Sequence, residues 1–157
     1  MLKRRLQDVF FYSLESAIKS YRRFAQARIE EEGFDITIDQ WLVLKTIQES
    51  PTASQQEVAA VVFKDFASVT RIIQLLESKQ YVRRHTHKTD GRRSSLRLTR
   101  AGAALIRDLE PIIRANRRQA LHGLSAAEIG RVREILAIIT RNCRPKQQRA
   151  ASPRGLS

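Results

Sequence analysis

An amphipathic helix that runs directly into a basic hairpin constrains the fold of this chain more than any other segment. From Ser68 to Glu77, apolar residues recur at intervals of three and four, which is typical of a helix buried on one face. Residues 79–100 follow with eight basic side chains and one acidic side chain, which leaves a net charge of +7. A turn is expected at residues 89–93, and residues 96–99 alternate apolar and polar side chains as a strand does. Such a unit can present one element to each groove of a DNA duplex.

The charge of the whole chain favours a polyanionic partner. Its 157 residues include 29 Lys and Arg against 16 Asp and Glu, a formal net charge of +13 that suits nucleic acid or an anionic membrane surface. No uninterrupted apolar run approaches the roughly 20 residues that span a bilayer, and the one-sided charge of residues 79–100 favours nucleic acid. Cys143 is the single cysteine, so no internal disulfide can form and a cytoplasmic location is expected.

Capping signals predict three short helices before the hairpin. Residues 37–40 and 54–57 have the form of capping boxes, each opening a helix, and Asp65 can cap a third helix over residues 66–79. The last two helices are joined by about four residues, and the second of them runs into the basic hairpin. This arrangement predicts a winged helix-turn-helix in a chain that is mainly α with a small β wing.

Long helices are expected on both sides of this unit. The first should run from Leu2 until Gly33 ends it, with a continuous apolar stripe. Another is capped by Thr99 and is expected to kink at Pro111, and the last begins at a capping box at residues 125–128. Their stripes exceed what one small winged domain can cover, which suggests a helical dimer interface.

The chain is therefore divided into three parts. Residues 1–35 and 100–143 are expected to form the helical dimerisation region, and residues 36–99 the winged helix-turn-helix. Residues 144–157, with four basic and no acidic side chains, are expected to be a disordered basic tail.

Several segments resemble the MarR family of winged-helix transcription regulators over about residues 5–142. The most specific feature is an Asp-x-Arg wing followed by Leu-Thr-x-x-Gly. The segments are residues 37–44, 67–71, 76–77, 90–93 and 98–102. The resemblance implies a homodimer with intertwined first and last helices, a recognition helix in the major groove and a wing arginine in the minor groove. It also implies a repressor that a small aromatic or phenolic ligand, bound between the dimer helices and the winged lobe, releases from DNA.

Two positions depart from the family pattern. Gln80 stands where the family usually has glycine after the recognition helix, so either backbone strain or a differently shaped turn is expected. Leu75 stands where many relatives have a polar or basic residue, which suggests that this part of the helix lies against protein instead of DNA.

The outer face of the recognition helix supplies the candidates for the major groove. Arginine can bind guanine, glutamine can bind adenine, and small residues allow close approach. The alternatives are a solvated face or, for Arg71, a phosphate contact without base specificity. The candidates are Ala67, Ser68, Thr70, Arg71 and Gln74.

The wing and one helix start supply further candidates. Arg92 suits the negative potential of a narrow minor groove; alternatively it pairs with Asp90 and shapes the wing. Ser54 and Gln55 lie at a helix N-terminus that could bind a phosphate, or they serve for capping alone. The candidate wing residues are Arg84, Lys88, Asp90, Arg92 and Arg93.

A ligand pocket is the remaining candidate site. Tyr21, Phe24 and Trp41 could line one between the lobes, or they could be core residues. Cys143 could sense oxidants, or it could be a buried, inert thiol. Neither a metal-ligand cluster, nor a phosphate loop, nor a local catalytic constellation is present, so no metal, cofactor or catalysis is expected.

Together these features predict a sequence-specific DNA-binding transcription regulator. It is expected to be a homodimeric repressor that binds a palindromic operator and is released by a small aromatic or phenolic ligand. The main alternative is an architectural or non-sequence-specific nucleic-acid-binding protein with the same fold. A second alternative is a small-molecule-binding protein with vestigial DNA contacts.

Overall fold

The computed structural model of the chain describes residues 5–87 and 90–144. For residues 86, 87 and 90–94 it describes the backbone and not the side chains. In this part of the chain, six helices and one two-stranded antiparallel sheet follow a 3-10 turn, Leu6–Asp8. The predicted fold class, mainly α with a small β wing, is confirmed. The elements are α1 (Phe10–Glu31), α2 (Ile38–Glu49), α3 (Gln55–Val61), α4 (Phe66–Ser78), β1 (Val82–His87), β2 (Asp90–Leu98), α5 (Arg100–Ala120) and α6 (Ala126–Asn142).

The three predicted capping boxes all form. Thr37 Oγ1 accepts the N–H of Gln40 at 3.1 Å, and the Gln40 amide oxygen accepts the N–H of Thr37 at 3.2 Å. The same reciprocal pair joins Ser54 to Glu57 and Ser125 to its partner three residues later. The starts of α2, α3 and α6 are therefore fixed by side chains within a single turn.

The predicted continuous first helix is wrong at Val9. This residue is extended, with φ −85° and ψ 118°, and it separates the 3-10 turn from α1. The Asp8 carboxylate accepts the N–H of Arg5 at 3.1 Å and so closes the turn on itself. Apolar periodicity runs through both pieces and could not reveal the break, while Leu2, the predicted start, lies outside the described residues.

The core joins the helix-turn-helix to the base of the wing. It contains buried side chains from α1, α2, α3, α4 and α5, and each stabilises the fold by about 1.5–3 kcal/mol. Val82 of β1 and Leu96 of β2 belong to the same cluster, so the base of the hairpin is anchored in it. Fully buried members include Ile29, Leu44, Ile73, Leu76 and Leu109.

The wing differs from its prediction near its tip. β1 pairs with β2 from Val82 and Leu98 to His87 and Asp90, with an irregularity beside His87. Because β2 begins at Asp90, the residues 90–93 that were expected in the turn belong to the strand. Asp90 pairs with His87, and residues 91–93 have no partner in the register because they lie within its irregularity.

The turn between α4 and β1 packs against the first turn of α5. Gln80 has a left-handed backbone with φ +61°. Of the two expectations for this position, backbone strain or a differently shaped turn, the first is therefore confirmed. The Tyr81 N–H closes the helix on the carbonyl oxygen of Leu76 at 2.9 Å. The Thr99 hydroxyl donates to the Gln80 carbonyl at 2.6 Å and accepts the Gly102 N–H at 3.0 Å. A Cβ on Gly102 would lie 2.1 Å from the Tyr81 carbonyl oxygen, which explains the glycine of the Leu-Thr-x-x-Gly pattern.

The chain divides into two compact units, one ending at Ala120 and the other containing α6. In the second unit, no residue of α6 is buried, and Val132 and Ile135 are 51% and 38% exposed. In the first unit, Phe10 and Phe11 at the start of α1 are more than half exposed.

Of the predicted basic tail, only residue 144 lies within the described residues. None of the described helices combines the length and apolarity that a bilayer crossing requires.

Candidate nucleic-acid interface

The helix α4 has one face in the core and the opposite face in solvent. Ala67, Arg71 and Gln74 are exposed and lie three or four residues apart, so they form one strip along the helix. Ser68 and Thr70 lie at its edges and are half-buried. The buried face consists of Val69, Ile73 and Leu76.

Leu75 is also exposed on this helix. Half of its surface is accessible, so the expectation that this part of α4 lies against protein is wrong within the single chain. The exposed surface of α4 therefore continues beyond the five predicted contact residues.

Ser68 and Thr70 use their hydroxyl groups inside the chain. The Ser68 hydroxyl donates to the Asp65 carboxylate at 2.6 Å, and the Ser68 N–H donates to the same group at 2.8 Å. These two hydrogen bonds hold the pKa of Asp65 below its usual range and fix the first turn of α4. The Thr70 hydroxyl donates to the Phe66 carbonyl at 2.8 Å and accepts a hydrogen bond from the Gln55 amide at 2.5 Å.

Arg84 links the base of the wing to α4 and α3. Its Nε lies 3.2 Å from the Glu77 carboxylate, and its terminal nitrogens lie 3.4 Å from the Gln55 amide oxygen. Since Gln55 also binds Thr70, a chain of side chains runs from β1 through α3 to the recognition helix. Arg84 and Gln55 were assigned to DNA because the sequence does not show partners that lie 7 and 29 residues away.

Ser54 caps α3. Its hydroxyl accepts the N–H of Glu57 at 3.2 Å and donates to the Glu57 carboxylate at 2.8 Å. Hydrogen bonds from the backbone and then the side chain of Ser54 hold the pKa of Glu57 below its usual range. The side chain of Ser54 therefore performs the capping that was the alternative to a phosphate contact.

Two exposed arginines face each other across the wing. Arg83 of β1 is the direct partner of Arg97 of β2. Like charges in opposed strand positions repel one another, and a phosphate backbone placed against both would relieve that repulsion. Of the predicted wing residues, Lys88 lies outside the described residues, and Asp90, Arg92 and Arg93 lie in β2 with side chains outside the description.

The three aromatic residues predicted to line a pocket lie in two environments. Trp41 belongs to the core at 6% exposure, and the Arg117 guanidinium carbon lies 5.8 Å from its ring centroid. Tyr21 and Phe24 of α1 are half-buried. Cys143 is exposed, so the alternative of a buried thiol is wrong within the single chain.

A cavity of about 570 Å³ lies between α1 and the start of α2. Three of its lining residues are cationic and one, Asp39, is a carboxylate that pairs with Arg22 and with Lys64 at 2.9 Å. Burial raises the pKa of Asp39, but hydrogen bonds from Lys64 and Arg22 outweigh burial and lower it. The lining retains a positive excess that suits an anion. It comprises Lys19, Arg22, Arg23, Gln26, Thr37, Ile38 and Asp39, and includes none of the three predicted aromatic residues.

Fold and surface together define a winged helix-turn-helix protein with a basic face. Residues 36–94 match the model of the MarR family, and this part of the chain is a MarR domain. The resemblance that the wing and the Leu-Thr-x-x-Gly pattern indicated is thereby confirmed.

Solved structures share this fold over most of the chain. BpsR of Bordetella bronchiseptica, in a study of the regulation of its DNA binding by 6-hydroxynicotinic acid, matches with a TM-score of 0.79 and 20% identity, over 88% of this chain and 97% of that chain. A probable transcriptional regulator from Pseudomonas aeruginosa matches with a TM-score of 0.76 and 27% identity, over 86% of this chain and 99% of that chain. A mutant of MarR from E. coli, complexed with operator DNA, matches with a TM-score of 0.73 and 23% identity, over 80% of this chain and 89% of that chain.

Proposed function

We propose that the chain is a sequence-specific transcription regulator that binds a palindromic operator as a homodimer and represses transcription. The observation on which this rests is the exposed strip Ala67, Arg71 and Gln74 on a helix whose Thr70 is joined through Gln55 and Arg84 to a basic wing. A helix of this kind fits the major groove, and a hairpin fits the neighbouring groove. Arg71 and Gln74 supply hydrogen-bond donors for base edges, while Ala67 allows close approach.

The wing supports the proposal through its charge. Arg83 and Arg97 offer two opposed cations to the phosphate backbone. In this proposal Arg92 of β2 enters the minor groove, where the negative potential is strongest when the groove is narrow. Lys88, Asp90 and Arg93 belong to the same proposed contact surface.

The homodimer is supported by apolar surface on both terminal helices. Phe10, Phe11 and Ile18 of α1 are each more than half exposed, and Val132 and Ile135 of α6 are exposed as well. Patches of this kind on a chain of this size mark interfaces with another protein. A twofold dimer presents two recognition helices to the two halves of a palindrome.

A small aromatic acid is the proposed releasing ligand. The cavity between α1 and α2 places Lys19, Arg22 and Arg23 around an open volume of about 570 Å³. A carboxylate would complement these cations, and Ile38 offers an apolar wall for a ring. The studied regulation of BpsR by 6-hydroxynicotinic acid makes pyridine and benzene carboxylic acids the first compounds to test.

Affinity measurements on selected DNA test the regulator. Sequences bound from a random pool are compared with random duplex at one salt concentration, and a ratio of about 10³ or more is expected. The double variant Arg71→Ala/Gln74→Ala should lower this ratio and retain the non-specific affinity. A ratio near one for the wild-type protein would instead favour the architectural alternative.

Ligand release is tested separately on the protein–DNA complex. Aromatic acids are titrated in, and Arg23→Ala should raise the concentration needed for release without changing DNA affinity. If no acid releases DNA, the ligand proposal fails while the regulator remains.

A further inference from the structure

The first turn of the recognition helix presents an apolar surface. Phe66 is the first residue of α4 and 56% of its surface is accessible, and Ala67 beside it is exposed. Phe66 is not among the residues that the sequence predicted to face the major groove. The side chains that α4 contributes to the core are Val69, Ile73 and Leu76, and Phe66 remains outside the core.

The hydroxyl groups of this turn do not offset its apolar character. The Ser68 hydroxyl is bound to Asp65, and the Thr70 hydroxyl donates to the carbonyl of Phe66 itself while it accepts from Gln55. Beside the Asp65 carboxylate, which accepts from Ser68, the beginning of α4 therefore offers a phenyl ring and a methyl group to whatever lies against it. Polar side chains of the exposed strip begin one turn later, at Arg71.

The major groove contains one apolar group that complements such a surface, the C5-methyl group of thymine. In the proposed complex, the N-terminal residues of a recognition helix approach the base edges. We propose that Phe66 contacts a thymine methyl group in each half-site and so makes thymine a specificity determinant of the operator. This inference rests on the proposed function and names one base that the operator contains.

The helix fixes where that thymine lies. Phe66 and Gln74 are separated by eight residues, or about 12 Å along the helix axis. With about 3.4 Å between successive bases of one strand, this distance corresponds to about four base pairs or fewer. The thymine is therefore in the same half-site as the base bound by Gln74, on the side of the first turn of α4.

Base analogues test the contact without altering the protein. Each thymine of a selected operator is replaced in turn by deoxyuridine, which removes only the methyl group, and the affinity is measured at fixed salt. In each half-site, one of these single replacements should weaken wild-type binding about fourfold, which corresponds to the free energy of burying one methyl group. Replacements at thymines outside the reach of α4 should have no effect.

Two variants assign the effect to the side chain. Phe66→Ala should bind the thymine and deoxyuridine operators equally. Phe63→Ala is the matched control, because Phe63 is 95% exposed but lies in the turn before α4, and it should retain the fourfold difference. Thermal unfolding of both variants checks that each is folded.

The outcomes separate the two proposals. A wild-type protein that prefers its operator but tolerates deoxyuridine at every thymine would overturn the contact with Phe66, as would a Phe66→Ala variant that keeps the difference. A wild-type protein with no preference for any sequence would overturn the proposed function itself.

Discussion

Within residues 5–87 and 90–144, two residues other than glycine have a left-handed backbone, and each lies at a turn beside the recognition helix. Phe63 has φ +56° and Gln80 has φ +61°. Such a conformation costs an L-residue roughly 1–2 kcal/mol, and glycine avoids most of this cost. At Gln80 the backbone is held by the Thr99 hydroxyl on its carbonyl oxygen.

Gln80→Gly is therefore expected to stabilise the fold. Relief of the left-handed strain exceeds the added freedom of glycine in the unfolded chain, and the net gain should be roughly 0.5–1 kcal/mol. Gln80→Ala is the control, since it removes the exposed side-chain amide and retains the Cβ. Urea unfolding measures the free energy of unfolding of both variants. If Gln80→Gly and Gln80→Ala are equally stable, the left-handed backbone at this position does not destabilise the fold.

Asp39 is expected to make stability depend on pH. Burial raises its pKa, but the hydrogen bonds from Lys64 and Arg22 lower it below the usual range. A carboxylate with a lowered pKa in the folded state stabilises the fold above its unfolded pKa, about 3.9, and this stabilisation is lost as the pH falls through the folded pKa. Asp39→Asn should therefore lower the free energy of unfolding by about 1 kcal/mol at pH 7, after allowance for solvent screening.

The comparison of wild type with Asp39→Asn at low pH tests whether the ion pairs of Asp39 cause the stabilisation. The stabilities of wild type and Asp39→Asn should converge as the pH falls below about 3.9. Glu15→Gln, which removes one partner of the exposed pair with Lys19, should change stability at pH 7 much less than Asp39→Asn does, because solvent screens that pair. A constant difference between Asp39→Asn and wild type down to a pH of about 2.5 would argue against the ion pairs.

Residue roles could be predicted where the partners are close in sequence. Thr37, Ser54, Asp65 and Ser125 each bind a group three residues away, and the sequence identified all four. The hydrogen bond between Gln55 and Thr70 spans 15 residues and depends on how α3 packs on α4. No local pattern indicates such a contact, so neither the DNA contacts nor the capping and solvated-face alternatives predicted for these residues included it.

At the scale of elements, type was predictable and some boundaries were not. The helix-turn-helix and the strands of the wing follow from periodicity and capping. The break at Val9 and the start of β2 at Asp90 depend on backbone conformation and strand pairing, which periodicity does not report. The wing is positioned by a tertiary contact, since Arg84 of β1 binds Glu77 of α4.

Neighbouring arginines of β1 are expected to have different roles. Arg83 is exposed opposite Arg97, whereas Arg84 is held by Glu77 and Gln55. Arg83→Ala should therefore reduce the slope of log affinity against log salt by about one for each half-site, as loss of a phosphate contact does.

Arg84→Ala should lower the affinity for the operator and leave that slope nearly unchanged, because it removes a positioning contact. Titrations at several salt concentrations measure both variants. Equal slope changes for the two would show that Arg84 leaves its partners and binds phosphate.

At the scale of the whole molecule, the sequence indicated more apolar helix surface than one chain covers. The structure agrees within each unit, where the start of α1 and the length of α6 expose large apolar side chains. The partner of this surface could not be derived from a single chain. The proposed partner is a second copy of the chain, which also supplies the second winged helix-turn-helix that a palindrome requires.

Ile135→Lys should dissociate the proposed dimer. Ile135 belongs to the apolar stripe of α6, and an ammonium group placed in an apolar interface is left desolvated and unpaired. Sedimentation equilibrium should show a monomer at concentrations where wild type is a dimer, and affinity for a palindromic site should fall more than about tenfold while affinity for a single half-site is kept. Ala137→Lys adds the same charge about 140° around the helix from Val132 and should remain dimeric. If Ile135→Lys binds the palindrome as wild type does, α6 does not form the interface.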